Sequence, residues 1–291
     1  MGKLKILVTG KDGQLGYALQ ELSENQFEFT WKFTDRSELD ITNSINTQSV
    51  LKEFQPDWII NAAAYTDVDG AESNEDIAYK VNADGPYILA KSAKEIGAKL
   101  VHISTDYVFD GTKKEPYSEN DTPNPLQVYG KSKLKGELLI QDTSITGFII
   151  RTSWVYGNHG KNFVNTILKL AKTKNEIEVV DDQFGSPTYV KDLANVVIDL
   201  VSKRQFNEME LYHFSNYGVI SWFDFAKSIK QLMNLDLKIQ RINSCDYYKS
   251  NFRPTYSALD LKKISSVYKN IEHYKKSLKI CLKLKKNNVT Q

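Results

Sequence analysis

Cysteine is almost absent from this chain of 291 residues: Cys245 and Cys281 are the only two, with no CxxC spacing and no histidine placed to share a metal. So few thiols exclude a disulfide framework or a structural zinc and fit a reduced compartment, with both cysteines as packing residues. Long apolar runs are missing too. None approaches the ~18 residues needed to span a bilayer. The first five residues run almost directly into ILVTG with no signal peptide before it, so a cytoplasmic location is expected.

An excess of charge of either sign is also lacking, and a net charge of +2 gives no global attraction to nucleic acid. The near-neutral sum conceals an asymmetry, because residues 262–291 hold nine lysines against the single acid Glu272. There Ile271, Tyr274, Leu278, Cys281 and Leu282 recur at helical spacing, the pattern of a final amphipathic helix packed on the body with its lysines in solvent. Repeats and low-complexity tracts are absent. The length and the 41% hydrophobic content suffice for one large α/β unit with an appended lobe.

What the chain does contain is alternation. Residues 4–9 form an apolar run bounded by glycine, as a buried parallel strand should be, and Leu15, Leu19 and Leu22 follow at helical spacing. A second strand ends near Thr34, a helix covers 45–54, and residues 57–64 (DWIINAAA) read as a third strand. A helix through Ala78, Val81, Ile88, Leu89 and Ala93, a strand over 100–104, a helix over 128–141 and a strand over 147–153 continue the pattern. This is the signature of a Rossmann-like, doubly wound parallel sheet occupying mainly residues 1–154. Beyond Trp154 the stretches are longer and less regular, with short strands near 176–180, 211–215 and 237–242. Residues 155–291 are therefore expected to form mainly a smaller α/β substrate-binding lobe, with some segments returning to the first unit.

GKDGQLG (residues 10–16) lies between strand and helix, where Gly10, Gly13 and Gly16 allow a tight turn and a close backbone approach to a pyrophosphate held at the helix N-terminus. Asp35, at the end of the second strand, would accept hydrogen bonds from a ribose 2′-hydroxyl and favour NADH, whereas Arg36 beside it suits the 2′-phosphate of NADPH. Both cofactors stay open. Asp40 and Ile41 are placed to flank the adenine, and the small Ala62, Ala63 and Ala64 let a dinucleotide pass close to the backbone.

Tyr129 and Lys133 stand four apart in YGKSK and so share one helix face. Alone, the pair reads as a helix surface with an exposed aromatic. In context, Ser104, Thr105 and Asp106 end a strand at the same sheet edge, and ketone reduction needs a hydride donor, an acid for the developing alkoxide and a group that orients the carbonyl. A nicotinamide, Tyr129 and Thr105 fit those roles, with Lys133 placed to keep the phenol acidic and to bind the nicotinamide ribose.

NAAAYTDVDGAE (61–72), ISTDYVFDG (103–111), VYGKSKLKGE (128–137), RTSWVYG (151–157), NFV (162–164), DDQFGSPT (181–188) and RPTYSAL (253–259) together resemble the extended short-chain dehydrogenase/reductase family, in its branch that reduces dTDP-linked 4-dehydro-6-deoxysugars for rhamnose synthesis. The resemblance covers nearly the whole chain. It implies a dTDP-sugar substrate, reduction of its C4 ketone by NADPH or NADH, and a dinucleotide held by Gly13, Gln14, Leu15, Asp35, Asp40, Ile41, Ala64, Tyr65 and Thr66 with Tyr129 and Lys133. It places Thr105, Asp106 and Trp154 on the sugar nucleotide and Arg253 on its diphosphate. Thr105 stands where many members have serine, which keeps the hydroxyl. Tyr17 and Ala18 stand where some members carry a glutamate tied to a metal-assisted dimer contact, so no metal is expected and a homodimer stays open. An epimerase or dehydratase of nucleotide sugars, and a non-catalytic relative serving as the regulatory subunit of methionine adenosyltransferase, are the alternative readings.

Overall fold

The computed structural model describes residues 2–247 and 253–289. Strands β1 (Leu4–Thr9), β2 (Phe29–Thr34), β3 (Trp58–Asn61), β4 (Lys99–Thr105) and β5 (Gly147–Thr152) join the strand Met209–Phe214 in one six-stranded sheet. The order is Met209–Phe214, β5, β4, β3, β1, β2, with every pair parallel. The chain leaves β1 toward β2 on one side and resumes with β3 on the other, so the order reverses between β1 and β3. Parallel sheets of this kind bind ligands at that reversal, beyond the carboxyl ends of the strands.

Both faces of the sheet are covered, which explains why its strands read as apolar runs instead of alternating ones. Ile6, Val8, Ile60, Val101, Phe148 and Ile150 face the layer that holds α1 (Gln14–Ser23) and the helix Val190–Lys203. Leu7, Ile59, Leu100 and Ile149 face the opposite layer, with Leu51, Leu89 and Ile140 from three helices. A second cluster gathers Tyr156, Ile167, Val179, Phe225 and Ile229 around a small parallel pair, Glu176–Val180 with Lys238–Ile242. The C-terminal helix Tyr274–Val289 adds Tyr274, Leu278, Cys281 and Leu282 to it, the face its spacing predicts.

Several expectations shift. The third strand ends at Asn61, so Ala62, Ala63 and Ala64 lie beyond the sheet. The strand expected over 211–215 begins at Met209 and pairs with β5 as an edge of the main sheet. The helix expected through Ala78 and Leu89 contains a π turn, Lys80–Asp84, between Glu75–Tyr79 and Gly85–Glu95. There the side chain of Asn82 bonds both the N–H and the carbonyl of Tyr65, and Gly136 lets the next helix approach so closely that a Cβ would lie 2.1 Å from Asn82 O. Cys281 is buried, but Cys245 is exposed, so packing accounts for one thiol and not for both.

One contact anchors the helix Val128–Asp142 to the sheet. Arg151 of β5 meets Glu137 with Nη2 to Oε2 at 2.6 Å, both side chains nearly inaccessible, and the Ser104 hydroxyl of β4 donates to the same carboxylate. Removing one partner of such a pair strands the other as an uncompensated buried charge, which costs roughly 3–5 kcal/mol. Arg151→Ala is therefore expected to lower the urea-unfolding free energy by about that amount; a loss below about 1 kcal/mol would show that the pair is not an anchor.

Candidate active site

The glycine-rich turn is built by close backbone contact. Gly10 takes φ +70°, and a Cβ there would lie 2.8 Å from Ala63 N, at the point where the strand order reverses. Gly16 packs its Cα against Gly10 O, where a Cβ would lie at 2.3 Å. Gly13 caps α1 with no side chain bonded over the first amides, which leaves these N–H groups and the positive end of the helix available to an anion. Gly10, Gly16 and Ala63 thus form the floor; Asp12 and Gly13 are exposed, Gln14 is half-buried, and Leu15 turns its side chain into the core.

From that turn, with Lys161 in its wall, a cavity of about 540 Å³ runs past Ala62, Ala64 and Thr66 to Thr105, Asp106, Tyr129 and Lys133, and is lined also by Trp154 and Trp222. A larger groove, about 670 Å³ near Tyr217 and Lys262, contains none of these groups. Tyr65 is held at the cavity edge by Asn82. Ile41 is 4% exposed and packs under Gly85, so its side chain belongs to the core and not to the cavity wall.

The groups expected at the adenosine end are arranged differently from a free acid beside a free base. Asp35 is bonded by Lys11 Nζ at 2.9 Å and by the Ser37 hydroxyl at 2.6 Å. These hydrogen bonds, Ser37 first, hold its carboxyl well below the usual range, and Glu38 and Asp35 raise Lys11 in turn. Arg36 is largely in solvent, with Nε 3.7 Å from Asp40. The carboxylate is therefore neutralised by a lysine from the glycine-rich turn, a group that sequence reading overlooked.

At the other end the reacting groups converge. Tyr129 is partly accessible through the cavity yet deep among protein atoms, and burial pushes its phenol well above the ordinary value while the Thr105 hydroxyl pulls it back. Lys133 is 1% exposed, donates to Ile103 O at 2.6 Å and touches His102. Its charge is not among the influences on Tyr129 here, so the phenol's acidity is set by burial and not, as expected, by the lysine. Burial lowers Lys133 to about 8, with Glu137 opposing. Asp106 is 2% exposed and its Oδ1 accepts from the Thr105 hydroxyl at 3.2 Å; burial raises the carboxyl to about 7 against the pull of the Ser257 and Thr105 hydroxyls.

Trp154 adopts φ +47°, an uncommon conformation for a bulky residue. It lies flat on Trp222, ring centroids 3.4 Å apart, with Gly185 against its edge. A second cavity of about 240 Å³ adjoins the first through Tyr107 and Trp222 and contains Arg253, which bonds Tyr107 OH at 3.0 Å and Asp69 at 2.8 Å. Trp222 and Lys161 were not anticipated: the first follows an ordinary helix cap at Ser221, and the second sits in the irregular VYGNHGKN.

Comparison with known proteins agrees with this arrangement. Residues 4–287 match the family described as RmlD substrate binding domain. The chain is 43% identical to a dTDP-4-dehydrorhamnose reductase of Aggregatibacter actinomycetemcomitans, over 91% of this chain and 93% of that one. It is 42% identical to the spore coat polysaccharide biosynthesis protein SpsK of Bacillus subtilis, over 94% and 95% respectively. The crystal structure of a Bacillus anthracis dTDP-4-dehydrorhamnose reductase in complex with NADP superposes with a TM-score of 0.92 at 40% identity, covering 96% of this chain and 99% of that one. With its sheet order, glycine-rich turn and Tyr129–Lys133 pair carried on a chain matched almost from end to end, this protein belongs to the RmlD family.

Proposed function

We propose that this protein reduces the C4 ketone of dTDP-4-dehydro-L-rhamnose to give dTDP-L-rhamnose, using NADPH or NADH. The observation that carries the reading is one cavity linking an uncapped, glycine-bounded helix N-terminus to Thr105, Asp106, Tyr129 and Lys133 and to an aromatic wall, with a second cavity that contains Arg253 adjoining it at Tyr107 and Trp222. The relatives' names supply the sugar.

The residues fit a dinucleotide. Gln14 and Leu15, at the start of α1, offer backbone amides to its pyrophosphate, the Gly13 N–H closing the turn onto Gly10 O at 3.0 Å, and Ala62 and Ala64 leave its path unobstructed. At the adenosine end Lys11 bonds both Asp35 and Glu38 and Arg36 lies against Asp40, so each cation is paired with a carboxylate and the reading keeps both NADPH and NADH. When bound, the reduced nicotinamide supplies a hydride to C4. Tyr129, kept protonated by burial, gives its proton to the C4 oxygen, and the Thr105 hydroxyl orients the carbonyl. Lys133, ammonium over most of the neutral range, lines the same cavity and binds the nicotinamide ribose. Asp106, which lines the cavity beside Thr105, contacts the sugar nucleotide, Trp154 and Trp222 face the sugar, and Arg253 meets the diphosphate.

The direct test follows absorbance at 340 nm with purified protein, dTDP-4-dehydro-L-rhamnose and each cofactor, and then identifies the sugar. Cofactor oxidation with dTDP-L-rhamnose as product is expected; nucleotide binding without oxidation would move the assignment to another sugar or to a non-catalytic role. Tyr129→Phe should lower kcat by at least ~100-fold, the scale of a lost general acid, with dinucleotide affinity nearly unchanged by fluorescence titration. Near-normal turnover would remove Tyr129 from the mechanism. Asp106 gives a pH signature in stability. Its carboxyl is raised from 3.8 to about 7 on folding, so its contribution is full below pH 3.8 and is lost as pH rises toward 7. Asp106→Asn should therefore be more stable than the parent at pH 8, by on the order of 2–4 kcal/mol in urea unfolding, with the difference gone by about pH 4. Equal stability at both pH values would contradict a buried, strained carboxylate.

A further inference from the structure

Lys133 is the end of a buried polar chain. Its Nζ lies 3.2 Å from His102 Nε2; His102 Nδ1 lies 3.1 Å from the Asn61 amide nitrogen, and Asn61 Oδ1 lies 2.8 Å from the Thr9 hydroxyl. Thr9, Asn61, His102 and Lys133 are each at most 1% exposed. The chain links the carboxyl ends of β1 and β3 and the middle of β4 to the helix that bears Tyr129. A polar chain closed to water must match every donor with an acceptor internally.

That matching depends on the charge of the lysine. An ammonium has only hydrogens to offer, so His102 Nε2 must be bare, Nδ1 must carry the proton, and Asn61 must turn its oxygen toward the ring. An amine has a lone pair. Then Nε2–H donates to it, Nδ1 accepts from Asn61 Nδ2, and the Thr9 hydroxyl donates to Asn61 Oδ1, the orientation the structure displays. Neutral imidazole serves both states because its two nitrogens exchange roles, and burial together with the neighbouring Lys133 keeps the ring neutral. A carboxylate would hold the lysine charged, and a second cation would expel it.

We propose that His102 is the positioning residue of Lys133, a neutral imidazole that exchanges tautomers so as to hold the lysine in one place both as ammonium and as amine. The consequence for turnover rests on the reductase reading: once Tyr129 has given up its proton, Lys133 can change charge during its recovery without leaving the site. The titratable and charged groups around the pair are Tyr129 and Glu137 on the helix, Arg151 of β5 bonded to Glu137, and Asp106 beyond β4.

The test is ¹⁵N NMR of the histidine-labelled full chain without substrate, from about pH 6.5 to 9.5, spanning the ordinary histidine value and the lowered lysine, with His102 assigned among the four histidines by His102→Gln. The expected result is a ring that stays neutral throughout, changes from Nδ1–H to Nε2–H with a midpoint near 8, where Lys133 titrates, and shows no such change in Lys133→Met. An imidazolium, or a single tautomer across the range, would overturn the proposal. In turnover assays His102→Gln, whose amide also accepts or donates at that position, should stay within about 3-fold of the parent, whereas His102→Leu should move the alkaline limb of kcat down by about one pH unit. Identical pH profiles for the two variants would also overturn it. Should the leucine variant fail to fold, the NMR result decides alone, and since it needs no sugar, failure of the reductase reading would leave it standing.

Discussion

The buried Glu137–Arg151 pair, joined by Ser104, is the constraint on which the site depends. It fixes the helix bearing Tyr129 and Lys133 to the carboxyl ends of β4 and β5. Phenol and ammonium must face the same point as the glycine-rich turn, and that turn is set by β1. Because all these strands belong to one parallel sheet, a contact that fixes the helix to β4 and β5 also fixes its distance from β1. Asn82 adds a second tie, through Ser132 on the helix and Tyr65 beside the cavity.

Electrostatics then divide the cavity into two regions. At the adenosine end, charges are exposed and paired with one another, so their interactions are weakened by water and salt. At the reacting end, burial is the leading cause of the shifts at Tyr129, Lys133 and Asp106, and it acts on each toward the neutral form. A phenol kept protonated, an amine poised near neutrality and a carboxyl that titrates near neutral pH are what proton transfer without bulk water requires. Recovery of the phenol's proton then falls to Lys133 and the buried groups behind it.

Much of this was legible in the sequence, and the exceptions share a cause. The glycines of the first turn, the pairing of Tyr129 with Lys133 and the position of Thr105 follow from local spacing, because strand, turn and helix each leave a periodic trace. The amphipathic final helix was legible for the same reason. Lys11 on Asp35, Trp222 on Trp154 and His102 behind Lys133 are long-range contacts with no local period. In LVHIS a histidine reads as one more core position, and nothing in the run reveals what lies across the sheet. The strand Met209–Phe214 was legible as a strand, but its partner was not, because periodicity reports faces and not neighbours. The π turn at Lys80–Asp84 packs closely on Gly136 of another helix, again outside any local window.

The central claim is that a single cavity brings hydride and sugar carbon together. It is tested most directly by giving the protein NADPH deuterated at the transferable C4 position and locating the label in the sugar product by NMR. One deuterium at C4 of the sugar, in one stereochemical sense, is the result this account predicts. Label released to solvent, or found at C3 or C5, would contradict direct transfer and would point to enolisation or epimerase-like chemistry in the same fold.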